Sequence, residues 1–277
     1  MDKKRCIEII KNYIILPTHS LGQNFLIDEE AAVAIADASC VDQDDTVLEI
    51  GPGLGALTEK LCDRAAYVYA VEIDVHLIEA LQATLAEKKN VQVITADFLK
   101  MPRNMFQKGT GECRIVSNLP YYAMTPILLK LFREWEDARS MVFTVENAAC
   151  DRIFAEPETK AYGPLSIISS LYGKKEKLFL LDSKSFHPAP HTKSAVIRLT
   201  STSTLPSAPS VLFPLVNASF LQRRKTLLNA LSSSGLFPDG KTQVDAVLQR
   251  AGISSSLRAE ALVPEDFLKI ANEMIAK

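Results

Sequence analysis

The sequence lacks the cysteine spacing that builds disulfide frameworks and zinc sites. Its five cysteines are odd in number and scattered, and no two of them form a C-x-x-C pair. This pattern argues against a disulfide-stabilised fold and against structural zinc, and it is typical of a reducing compartment. We expect the thiols to be small buried side chains. They are Cys6, Cys40, Cys62, Cys113 and Cys150.

Long hydrophobic runs and a charge excess are also missing. No apolar run approaches the ~20 residues that a membrane helix needs, and Glu8 and Lys11 interrupt the first apolar stretch before it could form a signal core. We therefore expect a cytoplasmic protein without a membrane partner. With 31 basic and 33 acidic residues the formal charge is only -2, so any surface that binds nucleic acid must be local.

Short β-branched runs alternate with helical patterns, which is typical of a doubly wound α/β sheet. Two further runs follow a helix predicted at about 163–173, and their shorter connections indicate an antiparallel edge strand on a mostly parallel sheet. The predicted strands are 46–50, 67–73, 91–96, 114–118, 140–145, 175–182 and 194–200.

A stretch rich in Ser, Thr and Pro at 201–210 reads as a linker. Beyond it, the apolar residues recur with helical spacing and glycines stand at the expected helix ends. The sequence thus predicts an α/β domain at 1–203 and a small all-α domain at 204–277.

The first predicted strand ends in "LEIGPGLGALT" at 48–58, where Gly51, Gly53 and Gly55 form a turn between a strand and a helix. Such a turn is sometimes no more than a turn, but it also allows a ligand to approach the backbone closely. Its G-x-G-x-G spacing differs from the G-x-G-x-x-G of dinucleotide enzymes. No Walker lysine follows the glycines, which disfavours a triphosphate ligand.

Polar side chains stand at the ends of the next three predicted strands: Glu72, then Asp97 followed by Phe98, then Asn118. Because the carboxyl ends of parallel strands face one crevice, we expect these residues to lie together. Each acid alone is more often a helix N-cap than a ligand. In combination with the glycine turn, a ribose acceptor and a second carboxylate favour a cofactor that contains adenosine.

These motifs, with others in order along nearly the whole chain, resemble the S-adenosylmethionine-dependent ribosomal RNA adenine N6-dimethyltransferases, in particular the small-subunit (16S) KsgA/RsmA type. The resemblance implies a Rossmann-like class I methyltransferase sheet, S-adenosyl-L-methionine as cofactor and no metal. The motifs are "HSLGQNFLID" (19–28), "EIGPGLGALT" (49–58), "ADF" (96–98), "NLPYY" (118–122), "KAYGPLSI" (160–167), "FHPAP" (186–190), "RRKTLLNAL" (223–231) and "RAEAL" (258–262).

The resemblance also implies the cofactor contacts. Glu72 would hold the ribose and Asp97 the exocyclic amine of the cofactor. Physical reasoning alone gives the "GQNFL" segment no functional assignment, and a polar loop is the reading that it favours. The predicted cofactor residues are Gln23, Asn24, Leu26, Gly51, Gly53, Gly55, Glu72, Asp97, Phe98 and Asn118.

The run "NLPYY" could be a surface turn, because Asn and Pro both form turns. In the family reading, the Asn118 side-chain carbonyl and a backbone carbonyl near Leu119 or Pro120 accept the two hydrogens of adenine N6. Tyr121 stacks on the target base, and Phe186 of "FHPAP" covers its other face.

No general base is needed, because the amine becomes acidic as the methyl bond forms. Tyr122 is left with packing as its only expected role.

Two basic stretches are candidates for RNA contact. "QRRKT" at 222–226 contributes Arg223, Arg224 and Lys225, and a second stretch contains Arg152, Lys160, Lys174, Lys175 and Lys177. Solvated side chains are the alternative for each of them. The family implies two adjacent adenosines near the 3′ end of small-subunit RNA, an immature 30S particle as partner, and a monomeric enzyme.

The chain departs from the family pattern at Glu146–Ala148 and at His191–Lys193, near the expected RNA side. Three other functions stay open at this point. One is the related large-subunit methyltransferase that confers macrolide resistance, and another is a ribosome assembly factor without catalysis. The third, a nicotinamide dehydrogenase, lacks the fingerprint spacing and leaves "NLPYY" unexplained.

Overall fold

The protein was analysed as a computed structural model, which describes residues 1–16, 23–106, 111–120, 122–135, 137–202 and 209–276. Among these residues no helix is both long enough and apolar enough to cross a membrane. The strands are β1 (Phe25–Leu26), β2 (Thr46–Ile50), β3 (Tyr67–Glu72), β4 (Val91–Thr95), β5 (Cys113–Asn118), β6 (Ser140–Glu146), β7 (Gly173–Leu181), β8 (Phe186–His187) and β9 (Ser194–Ser201). The helices are α1 (Lys3–Asn12), α2 (Glu29–Ala38), α3 (Ala56–Cys62), α4 (Ile78–Thr84), α5 (Met124–Glu134), α6 (Asn147–Ile153), α7 (Pro164–Tyr172), α8 (Pro209–Phe220), α9 (Leu227–Ser232), α10 (Gly240–Arg250) and α11 (Pro264–Ile275).

A seven-stranded sheet has the strand order β4-β3-β2-β5-β6-β9-β7. Strands β4, β3, β2, β5 and β6 pair in parallel, and β9 pairs antiparallel with β6. The mostly parallel α/β sheet with an antiparallel strand near one edge is therefore confirmed. All five residues of β2 are buried, as expected for a central strand that is covered on both faces.

A second, smaller sheet was not foreseen. In it β1 pairs antiparallel with β8, so that Phe25 lies opposite His187 and Leu26 opposite Phe186. Strands of two residues carry no periodic pattern that a sequence reading can detect. This ribbon nevertheless joins the "GQNFL" and "FHPAP" segments, which are far apart in the chain.

None of the five cysteines forms a disulfide, and four of them are buried as expected. Burial raises the pKa of the Cys6 thiol to about 11 and that of Cys62 to about 12. The exception is Cys40, which is exposed.

By contacts, the chain divides into two compact units, the first formed by 1–150 and 174–201 and the second by 151–173 and 202–277. Helix α7 packs on α8 and α11 inside the second unit, where the buried Tyr162 hydroxyl donates to the Leu262 carbonyl at 2.7 Å. A boundary between 203 and 204 instead assigns 151–173 to the first domain, and that assignment stays a prediction. Most of the linker at 201–210 lies outside the described residues.

Candidate active site

A cavity lies in the first unit at the carboxyl ends of the central strands. Its empty space, counted together with the open mouth, is about 950 Å³. Most of the predicted cofactor residues line it, as does Pro120. Those that do are Gln23, Asn24, Leu26, Gly51, Gly53, Glu72, Asp97, Phe98 and Asn118.

Two glycines of the turn after β2 adopt left-handed backbone angles and lie close to other motifs. Gly51 has φ +72°, and a Cβ there would lie 3.5 Å from Cδ of Pro120. Gly53 has φ +58°, and a Cβ there would lie 3.1 Å from the Phe25 ring. The turn therefore packs against both the "NLPYY" and the "GQNFL" segments. A Cβ at Gly51 would make ordinary contact with Pro120, whereas a Cβ at Gly53 would be crowded by the Phe25 ring.

Gly55 differs from the other two because it does not line the cavity. It is the N-cap of α3 with φ +86°. A Cβ at this position would lie 2.9 Å from Leu81 Cδ1 and 3.2 Å from Thr84 Cγ2. This glycine thus allows α3 to pack closely against α4, which is a different role from the predicted cofactor contact.

Glu72 ends β3 and is 4% exposed. Its two oxygens each accept a backbone hydrogen bond, Oε2 from the Gly53 N–H at 3.1 Å and Oε1 from the Asp74 N–H at 2.9 Å. Burial raises the pKa of this carboxyl, although the two N–H groups oppose the shift. These two bonds hold the carboxylate in place. Because each oxygen has a further lone pair, the carboxylate can still accept hydrogen bonds from a ligand.

Glu49, the penultimate residue of β2, is a second buried acid in the cavity wall and was missed by the sequence reading. It is 1% exposed, and its Oε2 has no hydrogen-bond partner among the described residues. Burial raises the pKa of Glu49 to about 8 against the opposing effect of the Thr58 hydroxyl, and the nearby Glu72 carboxylate adds to the rise. The available signal was an acid inside an apolar strand, two residues before the first glycine of the turn.

Asp97 is a helix N-cap, which is one of the two roles that the sequence left open, and its role as a cofactor ligand stays a prediction. Its Oδ1 accepts the Leu99 N–H at 3.0 Å and so caps the short 3-10 helix Phe98–Lys100. Its Oδ2 lies 3.4 Å from the exposed Lys100 ammonium. The residue also lines the cavity, because a helix cap uses only part of the capacity of a carboxylate.

Gln23 is held at the cavity by Asp74, just beyond β3. Its Nε2 donates to Asp74 Oδ2 at 2.7 Å, and the His76 N–H donates to Oδ1 at 3.0 Å. Burial alone would raise the Asp74 pKa, but the hydrogen bonds from Gln23 and His76 lower it.

In the described part of the chain no group of three or more His, Cys, Asp or Glu side chains could hold a metal ion.

The "NLPYY" motif begins at the last residue of β5. Asn118 Nδ2 donates to the backbone carbonyl of Asn24 at 3.3 Å, while Oδ1 is buried without a partner among the described residues. The Leu119 N–H donates to the Thr144 carbonyl at 3.2 Å, and the Ala123 N–H donates to the Pro120 carbonyl at 3.2 Å. These bonds fix the backbone that directly follows Asn118.

Of the aromatic residues proposed for the base, Tyr121 lies outside the described residues. Its neighbour Tyr122, which had no assigned role, is 46% exposed and lines the cavity. Phe186 is only 2% exposed and does not line the cavity. It belongs instead to the apolar core that surrounds the β1–β8 ribbon.

The predicted RNA contacts Arg152, Lys160, Arg224 and Lys225 lie in the second unit and are exposed. Arg223 is different, because its guanidinium donates to the backbone carbonyls of Lys160 at 2.7 Å and Thr159 at 3.2 Å. It also lies 3.5 Å from the Glu260 carboxylate. The structure thus uses Arg223 to join three segments of its own unit.

The two departures from the family pattern meet in the first unit. The Thr192 hydroxyl donates to Glu146 Oε1 at 3.0 Å, and the Asn147 N–H donates to the Lys193 carbonyl at 3.2 Å. They lie where β6 ends and β9 begins, since Glu146 is paired with Ser194. The departing residues are therefore neighbours rather than independent changes.

Known proteins are similar to this chain over nearly its full length. The family model for "Ribosomal RNA adenine dimethylase" matches residues 17–276. The Ribosomal RNA small subunit methyltransferase A of Lachnoclostridium phytofermentans is 38% identical over 278 residues, which cover 98% of this chain and 96% of that protein.

Two crystal structures are also similar. A dimethyladenosine transferase from Plasmodium falciparum has a TM-score of 0.73 at 25% identity, with 89% of this chain and 95% of that chain covered. The 23S rRNA methyltransferase ErmE has a TM-score of 0.62 at 25% identity, with 91% and 100% covered. The resemblance found in the motifs is confirmed over nearly the full length, and the chain belongs to the ribosomal RNA adenine dimethylase family.

Proposed function

We propose that the protein transfers methyl groups from S-adenosylmethionine to N6 of two adjacent adenosines near the 3′ end of small-subunit ribosomal RNA. Its substrate would be an immature 30S particle in the cytoplasm, and it would act as a monomer. The family, and the small-subunit name of relatives at 38% to 41% identity, support this proposal. Family membership leaves no support for the dehydrogenase alternative.

One observation carries the proposal: the side-chain carbonyl of Asn118 is buried in the cavity wall without a hydrogen-bond partner among the described residues. An unpaired buried acceptor is costly to a folded protein, on the order of 1–3 kcal/mol. Such atoms are therefore rare and call for an explanation. An amino group that donates to Oδ1 during the reaction provides one.

S-adenosylmethionine would supply an electrophilic methyl group on its sulfonium. On the protein side, the Glu72 carboxylate would accept hydrogen bonds from the ribose hydroxyls. The Gly53 and Asp74 N–H groups already orient this carboxylate. The Asp97 oxygen that does not cap the helix would accept a hydrogen bond from the exocyclic amine of the cofactor. The glycine turn would bring backbone rather than side chains to the ligand.

Adenine N6 is a weak nucleophile, because its lone pair is delocalised into the ring. Asn118 Oδ1 and a backbone carbonyl would accept its two hydrogens and turn the lone pair towards the methyl group. Of the two candidate carbonyls, that of Pro120 already accepts the Ala123 N–H. The Leu119 carbonyl accepts no hydrogen bond from the described residues, so it is the better second acceptor.

The aromatic and basic residues complete the proposal. Tyr121 would stack on the flipped base, a contact worth roughly 1–3 kcal/mol. Phe186 would have to leave its buried position to cover the other face. Exposed cations, chiefly Arg224 and Lys225, would contact RNA phosphates, so binding should weaken steeply with salt.

The test is methylation of small-subunit particles that lack the modification, with the sites mapped by mass spectrometry. We expect N6-dimethylation of two adjacent adenosines, and a loss of at least about a hundredfold for Asn118→Ala. Exclusive modification of large-subunit RNA would instead support the macrolide-resistance alternative. Failure of the wild-type protein to bind S-adenosylmethionine in calorimetry would support the assembly factor.

Asn90→Ala is a matched control for Asn118→Ala. The Asn90 amide also donates to backbone, to the Cys62 and Ala65 carbonyls at 2.9 Å each, and the residue does not line the cavity. Its loss should reduce stability but leave the turnover of the folded enzyme near normal. Equal turnover losses in the two variants would contradict a direct role for Asn118.

A further inference from the structure

The two ends of the Asn118 amide have different surroundings. The Nδ2 end lies 3.3 Å from the backbone carbonyl of Asn24 and donates to it. The Oδ1 end has no partner among the described residues. A carbonyl oxygen can only accept hydrogen bonds, so the end of the amide that faces Asn24 must be the NH2 group.

This constraint decides what the amide offers to a substrate. An asparagine side chain that is turned by half a rotation has almost the same shape, with its donor and acceptor exchanged. In the turned state Asn118 would present N–H groups, which cannot accept a hydrogen bond from an amine. The Asn24 carbonyl disfavours that state, because two oxygens would then face each other.

The carbonyl itself is held by the β1–β8 ribbon. Asn24 immediately precedes β1, which is paired with Phe186 and His187. Just beyond β1, the Ile27 N–H donates to the Ser185 carbonyl at 2.9 Å, and the Ser185 hydroxyl donates to Asp28 Oδ2 at 2.7 Å. The ribbon therefore fixes the backbone from which the Asn24 carbonyl projects.

We propose that the backbone carbonyl of Asn24 is a positioning group for methyl transfer, because it locks the Asn118 amide with Oδ1 as the acceptor for the substrate amine. This inference rests on the proposed function. It gives the "GQNFL" segment a second role besides cofactor contact, and it explains why a ribbon of two short strands connects that segment to "FHPAP". The Asn24 side chain has no part in it, since only the backbone carbonyl takes part.

The decisive variant is Asn118→Asp. A carboxylate of nearly the same shape offers two acceptors, so it would serve as well as the amide if an acceptor were all that the reaction needs. With the Asn24 carbonyl opposite, however, one carboxylate oxygen would face another oxygen and turn the group away. Protonation would restore the bond, because the O–H would then donate to Asn24 while the second oxygen accepts from the substrate.

The measurement is the rate of methyl transfer by Asn118→Asp divided by the wild-type rate at each pH from about 5.5 to 8.5. We expect this ratio to rise by about tenfold for each unit that the pH is lowered, until the new carboxyl is protonated. Division by the wild type removes the titration of the RNA and of the other ionisable groups that line the cavity. These groups are Glu49, Glu72, Asp97 and Tyr122.

The stability of the variant gives a second readout that needs no activity. The same repulsion should make the free energy of unfolding of Asn118→Asp, relative to wild type, increase as the pH falls. Cofactor affinity measured by calorimetry shows whether the cavity is intact. A rate ratio near one at every pH, or rate and stability losses that are independent of pH, would overturn the inference.

These outcomes separate the inference from the function on which it rests. A wild-type protein that does not methylate small-subunit adenosines refutes the proposed function. A wild-type protein that does so, together with an Asn118→Asp variant whose losses do not vary with pH, refutes the role of the Asn24 carbonyl alone.

Discussion

Two acids of the cavity, Glu49 and Glu72, stand at the ends of neighbouring strands and are both almost completely buried. Backbone N–H groups hold both oxygens of Glu72, whereas Glu49 Oε2 has no partner among the described residues. Burial favours the neutral form of a carboxyl, and at Glu49 it outweighs the opposing effect of the Thr58 hydroxyl. Glu49 therefore binds a proton in the folded protein at pH values where an ordinary glutamate is ionised.

This difference predicts a pH dependence of stability. Burial raises the Glu49 pKa to about 8 in the folded protein, against 4.5 for an ordinary glutamate, so the folded state binds the proton more tightly than the unfolded state. Between these values the free energy of unfolding should fall as the pH rises, by at most about 1.4 kcal/mol per pH unit. Above about pH 8 the carboxyl is ionised in both states, so Glu49 should no longer make the free energy of unfolding vary with pH. Urea unfolding from pH 5 to pH 9 measures it.

Glu49→Gln keeps the shape but removes the titration, so its stability should vary less with pH across that window. The exposed Glu87→Gln changes the formal charge equally and serves as the control. Identical pH slopes for the wild type and Glu49→Gln would show that Glu49 does not hold the proton.

Single residues show how far the sequence could predict the site. The acids at strand ends could be found, because the carboxyl ends of parallel strands share one crevice. The part that each glycine plays could not, since Gly51 and Gly55 look alike in the sequence and differ only in the side chains around them. The family resemblance likewise placed Phe186 over the target base. Its burial depends on the packing of the ribbon, which the sequence does not show.

At the scale of elements, periodicity located each long strand to within two residues of its observed bounds. Apolar alternation and turn residues are local signals, so they predict strand positions without knowledge of the fold. The β1–β8 ribbon depends instead on pairing between distant segments. No local signal reports such a contact, although it holds Asn24 beside Asn118.

The contact between α3 and α4 at Gly55 yields a prediction about packing. Gly55→Ala forces an L-residue into a left-handed conformation, at roughly 1–2 kcal/mol, and places its Cβ 2.9 Å from Leu81. Overpacking of this kind typically costs a further ~1–3 kcal/mol. We expect the free energy of unfolding to fall by the sum of both effects, as measured by chemical denaturation.

Gly252→Ala separates the two contributions. Gly252 has a similar φ of +72°, but no heavy atom of the described residues lies within 4 Å of its Cβ position. The free energy of unfolding of Gly252→Ala should therefore fall only by the cost of the left-handed conformation. If Gly55→Ala were no less stable than this control but bound S-adenosylmethionine more weakly, Gly55 would act on the cofactor after all.

At the scale of the whole chain, the two compact units interleave along the sequence. The sequence indicated the helical C-terminal part, because helical spacing is a local signal, whereas the linker at 201–210 stays a prediction. The sequence did not reveal that 151–173 packs with the second unit. That association depends on tertiary contacts such as the bond from the Tyr162 hydroxyl to Leu262, which a helical pattern alone does not predict.

The "RRK" segment of the second unit combines structural and RNA-contacting cations, and substitution should separate them. Arg223→Ala removes the donors to the Thr159 and Lys160 carbonyls, so it should lower the free energy of unfolding by about 1–3 kcal/mol. Arg224 is exposed and has no polar side-chain partner among the described residues. Arg224→Ala should therefore leave stability unchanged within about 0.5 kcal/mol.

Binding to small-subunit RNA at several salt concentrations tests the second half of this prediction. If Arg224 contacts a phosphate, Arg224→Ala should weaken binding and reduce the slope of log K against log salt by about 1. Arg223→Ala, measured where it is still folded, should keep the wild-type slope, because its guanidinium is already bonded inside its own unit. A reduced slope for Arg223→Ala with normal stability would make Arg223 the phosphate contact and its internal bonds dispensable.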